Sequence, residues 1–404
     1  MGMSRHVEEG SSAGMFSPRR VLSLRLVRWF ELDWHVLAIA GLLLGIGLAF
    51  VRAMSAADEL FDRDDVDFGR HLAKVLLTLP VLVAALAVRP RWLRRNAYTI
   101  YGACIVLLLL VPIVGDDRNG ARRWIPLPVN FDLQPSELAK LGVIVALARV
   151  LYRNRLQRLG DWGPPLLIAL APIALVALQP DLGTAMTMVP VTLGMLYLAG
   201  ARAGVLARFV GAAAVLAVLV WYLQIGFHDY QLQRIDTWIH GIEAHELIER
   251  RNGPAFHSYH ARVAIGNGSV LGKGLGNGVG NVAGHLPERD CDSIFAVVAE
   301  EAGWLGASLV LALYALMIAL IMGSASAIRD RFSRLAVGGL ALYFAAHFFI
   351  NVAVNLGMIP MTGLTLPLFS TGGSSLLVTF AALGLALGLA SHREPSLDRD
   401  SFRT

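Results

Sequence analysis

The sequence predicts an all-α, polytopic transmembrane protein of about ten spans, and three observations carry that expectation. Hydrophobic residues fill 55% of the 404 positions and charged residues only 16%. With a mean hydropathy of +0.57, the apolar runs exceed what one soluble core can enclose. Runs approaching the ~20 residues that cross a bilayer start near Trp34, His71, Tyr98, Glu137, Trp162, Gly183, Ala203, Ser293, Arg334 and Ser374. Arginine clusters occupy alternate connections, the pattern that holds loops on the cytoplasmic side.

Taken in order, residues 1–33 are polar and basic, with no small-residue cleavage pattern after the first apolar run. They read as a retained cytoplasmic tail. Residues 34–391 form the ten-span membrane domain, with a large outer loop over 226–292 before span 8, and 392–404 form a second cytoplasmic tail. Arg89, Arg91, Arg94 and Arg95 mark one inner connection; Arg153, Arg155 and Arg158 mark the next, followed by Arg202 and then Arg329, Arg331 and Arg334. Both termini therefore face inward, as an even span count requires. The first outer loop is acidic instead, from Asp58 to Asp67. The net charge of +5 reflects this topology, and no aromatic-studded basic groove points to nucleic acid. Cys104 falls in a span and Cys291 in an outer loop, so no mutual disulfide is expected. No Cys/His cluster has metal-ligand spacing.

Polar, proline-rich and glycine-rich segments gather on the outer side. Asn119-Gly-Ala-Arg-Arg-Trp124 precedes Gln134-Pro-Ser-Glu-Leu-Ala-Lys140. There Pro135 and Glu137 suit the first turn of a helix, and Lys140 shares a face with Glu137. Gln179-Pro-Asp-Leu-Gly-Thr184 and the stretch from Pro360 to Ser375 make further outer turns. The outer loop is too long for a simple connector and should carry short helices or form a lid. Its segment from Gly266 to Gly280 is glycine-rich but fails both the Walker and dinucleotide spacings. Two readings remain for it: an anion cradle of backbone N–H groups with Lys273, or a purely conformational role. Only three lysines occur, Lys74, Lys140 and Lys273.

A further outer stretch places Glu288, Asp290 and Asp292 at the mouth of an apolar run that carries Glu300 and Glu301 inward. Ionised groups at such depth are costly and mark function by default. Together with Ala264-Ile-Gly266, Gly272-Lys-Gly274, Leu286-Pro-Glu288 and Pro367-Leu-x-Ser-x-Gly-Gly-Ser-Ser375, these motifs resemble the SEDS family, the shape, elongation, division and sporulation proteins. The similarity runs from about Asp33 to Leu389 and leans toward the rod-shape branch through Leu32-Asp-Trp34 and Asp229-Tyr-Gln231.

That resemblance implies a peptidoglycan glycosyltransferase that polymerises lipid II at the outer face of the bacterial inner membrane, with a class B penicillin-binding protein as transpeptidase partner. It places the family's essential aspartate on Asp292. The chain departs from the family's flanking pattern, with Asp290 for histidine, Cys291 for threonine and Ser293 for phenylalanine.

The chemistry needs a carboxylate to take the proton of a sugar hydroxyl and cations to meet the departing lipid diphosphate. Asp292 suits the first role, and a single displacement inverts the anomeric centre. Arg123, Lys140 and Lys273 suit the second. Trp124 is either an interfacial anchor or a surface for sugar or lipid. Glu137 and Lys140 either neutralise each other or line the site. No cofactor is required outright; a divalent cation, Mg or Mn, between the diphosphate and Asp292 or Asp290 is compatible with the residues. Bland roles compete: Asp292 as a helix cap, Asp181 as another, and Glu300 with Glu301 bracing a helix broken at Gly303. The acidic first loop is the alternative place for the base. A lipid-precursor flippase requires polar motifs reachable from both sides and an internal repeat, and a catalytically inactive scaffold would only activate the transpeptidase.

Overall fold

The computed structural model describes residues 31–392 except 64, 119–120, 128–130, 155, 223–228, 242–243, 250–252, 254 and 283–285. Both expected tails, apart from residues 31–33 and 392, and with them Arg19, Arg20, Arg25, Arg28, Arg393, Arg399 and Arg403, lie outside the described residues, as do Asn119 and Arg155.

The expected helices are present: α1 (Trp34–Leu60), α2 (Phe68–Leu86), α3 (Pro90–Val114), α4 (Pro135–Leu151), α5 (Gly163–Leu178), α6 (Leu182–Ala199) and α7 (Ala203–Tyr222), then α8 (Asp229–His240), α9 (Ala244–Glu249), α10 (Phe256–Asn267) and α11 (Val279–Val282) in the outer loop, and finally α12 (Ile294–Ala327), α13 (Arg331–Asn355) and α14 (Gly373–Ser391). Among the described residues eight helices are long and apolar enough to cross a membrane. The other two expected spans are α4, with 17 residues, and α7, with 20.

One feature departs from the expectation, and a second agrees with the helix break expected at Gly303. The chain is not wholly helical: β1 (Asp116–Arg118), β2 (Ala121–Leu127) and β3 (Phe131–Leu133) form a small antiparallel sheet in the order β1-β2-β3. Alternation of Arg122, Trp124 and Pro126 with Arg123 and Ile125 on β2 fits a short two-sided ribbon. The run beginning near Ser293 is also two helices, because Gly303 breaks α12 with φ 68. Residues 294–301 are all buried, whereas beyond the break exposed Trp304, Leu305 and Leu309 alternate with buried Ala307 and Val310. The piece after Gly303 therefore has the one-sided exposure of a lipid-facing span, and the piece before it is enclosed by protein.

Helix α13 is the central element, packing on α12, α6, α4 and α14, while α14 lies along α2. The α2–α14 approach depends on small residues one turn apart, since a Cβ on Gly384 would stand 2.5 Å from the Leu82 carbonyl and one on Gly388 would stand 2.6 Å from that of Leu86. Backbones that close exchange dispersion contacts that hold apolar helices together where no hydrophobic drive exists between them.

The arginine-bearing connections meet at one end of the bundle. Arg94 pairs with Asp330 at 3.6 Å, and Arg331 donates to the carbonyls of Asn154 and Ala199 at 3.0 Å each. The polar motifs meet at the opposite end.

Candidate active site

Asp292 lies on the short segment that joins the outer loop to α12, and three successive main-chain carbonyls fix that segment. The Asp290 carbonyl accepts from the Thr371 N–H at 3.0 Å, that of Cys291 accepts from the Ser370 hydroxyl, and that of Asp292 accepts from the side-chain amides of Asn351 and Asn355 at 3.0 and 2.9 Å. Thr371 also donates to the Asp290 carboxylate, and Lys74 reaches the Thr371 carbonyl at 3.4 Å. The α13 amides work from within the bundle, since Asn351 and Asn355 are 1% and 0% exposed.

The Asp292 carboxyl itself is left available. Ser293, not Asp292, occupies the helix-cap position and makes no side-chain capping bond. Asp292 Oδ1 is buried without a hydrogen-bond partner, so the capping role does not hold. Burial, reinforced by Glu288, pushes this carboxyl up to about 7, because a low-dielectric surround disfavours the charged form. Its neighbour is His257 on α10, whose Nε2 lies 3.8 Å from Oδ1 and 2.5 Å from Ser293 Oγ. Burial and the charge of Arg234 bring that imidazole down to about 4. The ring is neutral at physiological pH, so this contact is polar and not an ion pair.

The acidic first loop does not supply a rival base at Asp58. This residue, 1% exposed, pairs with Arg289, 3% exposed, and accepts the Val66 N–H at 3.0 Å. Arg63 adds a contact at 3.4 Å. The α1–α2 loop is thereby joined to the segment that carries Asp292.

The remaining expected residues take four separate places. Glu137, in the first turn of α4, pairs with Lys140 one turn on at 2.6 Å, and Lys140 Nζ also lies 2.8 Å from His347 Nε2. Both are buried, at 4% and 3% exposure, so their partners are protein groups. Arg123 and Trp124 stand on β2, where Arg123 donates to the Pro180 carbonyl. Asp181 caps α6 through the Thr184 N–H at 3.2 Å and accepts from Gln134 and Ser136 at 2.9 and 3.1 Å. Lys273 is exposed on the glycine-rich segment.

That segment does cradle anions, but they are the protein's own. The Gly276 N–H donates to Glu301 at 2.9 Å and the Gly280 N–H to Glu300 at 3.0 Å. The Lys273 and Gly274 N–H groups take the Glu300 and Glu301 carbonyls at 3.0 and 2.9 Å, which the break at Gly303 leaves open. Glu300 and Glu301 thus brace the broken helix. Gly303 is required there, since a Cβ would meet the Gly272 nitrogen at 2.3 Å on a backbone already in the left-handed region.

Among the described residues Glu288, Asp290 and Cys291 stand close enough to share a cation. The Glu288 carboxyl is raised by burial and by Asp290, and Cys291 is raised further, chiefly by burial. A thiol held protonated is a poor partner for Mg or Mn, which favour oxygen donors.

Sequence reasoning missed Arg234, His257, Asn351 and Asn355. The asparagine pair at i,i+4 on an apolar helix was the one readable signal, because buried amides there need partners.

An apolar bundle with a buried, backbone-gripped carboxyl at its polar end defines a multi-pass membrane enzyme. The chain belongs to the FtsW/RodA/SpoVE family: the family profile, described as "Cell cycle protein", matches residues 33–395. It is 34% identical over 333 residues to the peptidoglycan glycosyltransferase MrdB of Escherichia coli K12, covering 80% of this chain and 86% of that one. It is 36% identical over 380 residues to a probable peptidoglycan glycosyltransferase FtsW of Halorhodospira halophila, covering 90% and 91%. Two solved structures share the fold. One chain of a peptidoglycan synthase complex superposes with a TM-score of 0.76 at 30% identity, covering 91% of this chain and 100% of that one. The rod-shape-determining protein RodA of Thermus thermophilus superposes with a TM-score of 0.67 at 29% identity, covering 91% and 99%.

Proposed function

We propose that this peptidoglycan glycosyltransferase polymerises lipid II at the outer face of the bacterial inner membrane, with both termini inside and Asp292 as general base. The carrying observation is the Asp292 carboxyl, held by its main chain, raised to about 7 and with Oδ1 unpartnered. A base of that pKa accepts a sugar hydroxyl proton at neutral pH without being too weak to hold it. The hydroxyl oxygen bonds to the anomeric carbon, the bond from that carbon to the lipid diphosphate breaks, and the configuration inverts. Residues 34–391 form the catalytic domain. Arg123, Trp124 and Lys273 contribute to holding the substrate at the polar end, and the Glu137–Lys140 pair supports it from within. The partner is a class B penicillin-binding protein, in keeping with the synthase complex among the structural relatives.

The test is purified full-length protein given labelled lipid II with and without that partner. Glycan chains should vanish in Asp292→Ala and persist in Asp290→Ala; polymer of normal yield from Asp292→Ala would sink the assignment. Lipid transfer across the membrane without polymer would support a flippase instead.

A further inference from the structure

The cations expected at the leaving group are anchored elsewhere at the polar end. Lys140 is buried against Glu137 and His347, Arg123 is tied to the Pro180 carbonyl, and Lys273 sits on the segment docked at the Gly303 break. We propose that Arg234, on α8, is the residue that binds the lipid diphosphate beside Asp292. This deepens the reading above and rests on it.

The geometry runs along one strip of main chain. Helix α8 lies across the segment after α13, where Trp238 Nε1 donates to the Gly357 carbonyl and Arg234 Nη1 to the Met361 carbonyl, each at 3.2 Å. Two residues further on, a Cβ built on Gly363 would stand 3.9 Å from Asp292 Oδ2 and, its chain neighbours aside, meet no other group among the described residues within 4 Å. Arg234 thus marks one end of a short strip, the Asp292 carboxylate marks the other, and Gly363 between them carries no side chain. Arg234 is exposed, and its charge reaches both Asp292 and His257.

This layout matches what the reaction separates. As the acceptor oxygen bonds to the anomeric carbon, its proton passes to Asp292, and the electron pair of the breaking bond stays on the diphosphate oxygen. The base and the developing charge belong on opposite sides of the sugar carbon, and the strip offers an acid–base group and a cation a few residues apart. A guanidinium carries five N–H donors in a planar fork, so it can hold a main-chain carbonyl and phosphoryl oxygens together. The tether to Met361 fixes the fork before substrate arrives, which favours a preorganised electrostatic contribution.

The experiment uses the full-length protein in lipid nanodiscs with labelled lipid II, comparing Arg234→Gln, Arg234→Lys and Asp292→Ala, each checked for a thermal midpoint no lower than that of the wild type. Arg234→Gln should lower kcat/KM by roughly 100-fold, with KM raised, and Arg234→Lys should recover about ten-fold of that loss. Inhibition of the wild type by a polyprenyl diphosphate should weaken in Arg234→Gln, while the weaker inhibition by the monophosphate changes little. Should Arg234→Gln be unstable, the diphosphate inhibition of Arg234→Lys gives the same reading. Wild-type kcat/KM with diphosphate inhibition intact in Arg234→Gln overturns the inference, as does Arg234→Lys performing no better than Arg234→Gln. Polymerisation by Asp292→Ala would instead overturn the underlying reading of the site.

Discussion

Arg289, three residues before Asp292, makes a buried ion pair with Asp58 at the end of α1, 231 positions away in the chain. Neither residue is more than 3% exposed. In such a setting the pair is worth little more than well-packed apolar groups, but half of it is costly, because the charge left buried keeps only a longer contact, Arg63 at 3.4 Å for Asp58 and Asp65 at 3.7 Å for Arg289. Asp58→Ala or Arg289→Ala should therefore lose about 3–5 kcal/mol, read as a fall in thermal midpoint in detergent. The double substitution Asp58→Leu with Arg289→Met should recover much of the loss, and equal damage in single and double variants would show that the pair is not the cause.

The raised Asp292 carboxyl gives a signed pH dependence. A general base works ionised, so kcat should rise with pH through about 7 and level above it. Stability runs the other way: a carboxyl raised in the folded state holds its proton longer than in the unfolded chain, so folding weakens as pH climbs from about 4 towards 7. Asp292→Asn should abolish polymerisation yet raise the thermal midpoint at pH 8 more than at pH 5. A pH-independent stability difference would contradict the shift.

Glu300 and Glu301 should prove structural. Glu301→Ala removes the acceptor of the Gly276 N–H and Glu300→Ala that of the Gly280 N–H. Amide exchange across 266–280 should accelerate in both variants, by ten-fold or so for each ~1.4 kcal/mol of docking lost. Unaltered exchange would mean that the main-chain bonds to the Glu300 and Glu301 carbonyls suffice.

Gly303 admits no side chain. Its φ of 68, and the Gly272 nitrogen only 2.3 Å from where a Cβ would stand, make Gly303→Ala destabilising by more than the ~1–3 kcal/mol of backbone strain alone. Gly323→Ala, near the end of α12 with nothing within 4 Å of its Cβ position, should be neutral or mildly stabilising. The contrast is measurable as thermal midpoints of the two variants.

The helices were legible because hydrophobicity over ~20 residues is a local property, and so were their punctuation marks. Pro135 opens α4, Glu137 meets Lys140 one turn on, and Gly303 breaks α12. The candidate aspartate was singled out through a motif that spans few residues. The partners were not legible: Arg289 and Asp58, or Arg234 and Met361, meet only because distant helices end at the same place, and no local pattern encodes that. The sheet at 116–133 escaped for a related reason, since strands of 3, 7 and 3 residues carry too few alternations to rise above a loop. The glycine-rich segment is an anion cradle, one of the two roles its composition allows, but its anions come from Glu300 and Glu301, residues 20 or more positions downstream.

The grip on the Asp292 segment acts through the carbonyls of Asp290, Cys291 and Asp292, which every amino acid supplies. Thr371 also touches the Asp290 carboxylate and the Cys291 thiol, but a lock that reads mainly the main chain is tolerant of the letters written on it. The neighbours of the aspartate are thus free to drift in evolution, from histidine to Asp290, from threonine to Cys291, from phenylalanine to Ser293, while the carboxyl stays in place. Constraint passes instead to the holders, Asn351, Asn355, Ser370 and Thr371, which is where invariance should be sought among descendants of the same ancestor.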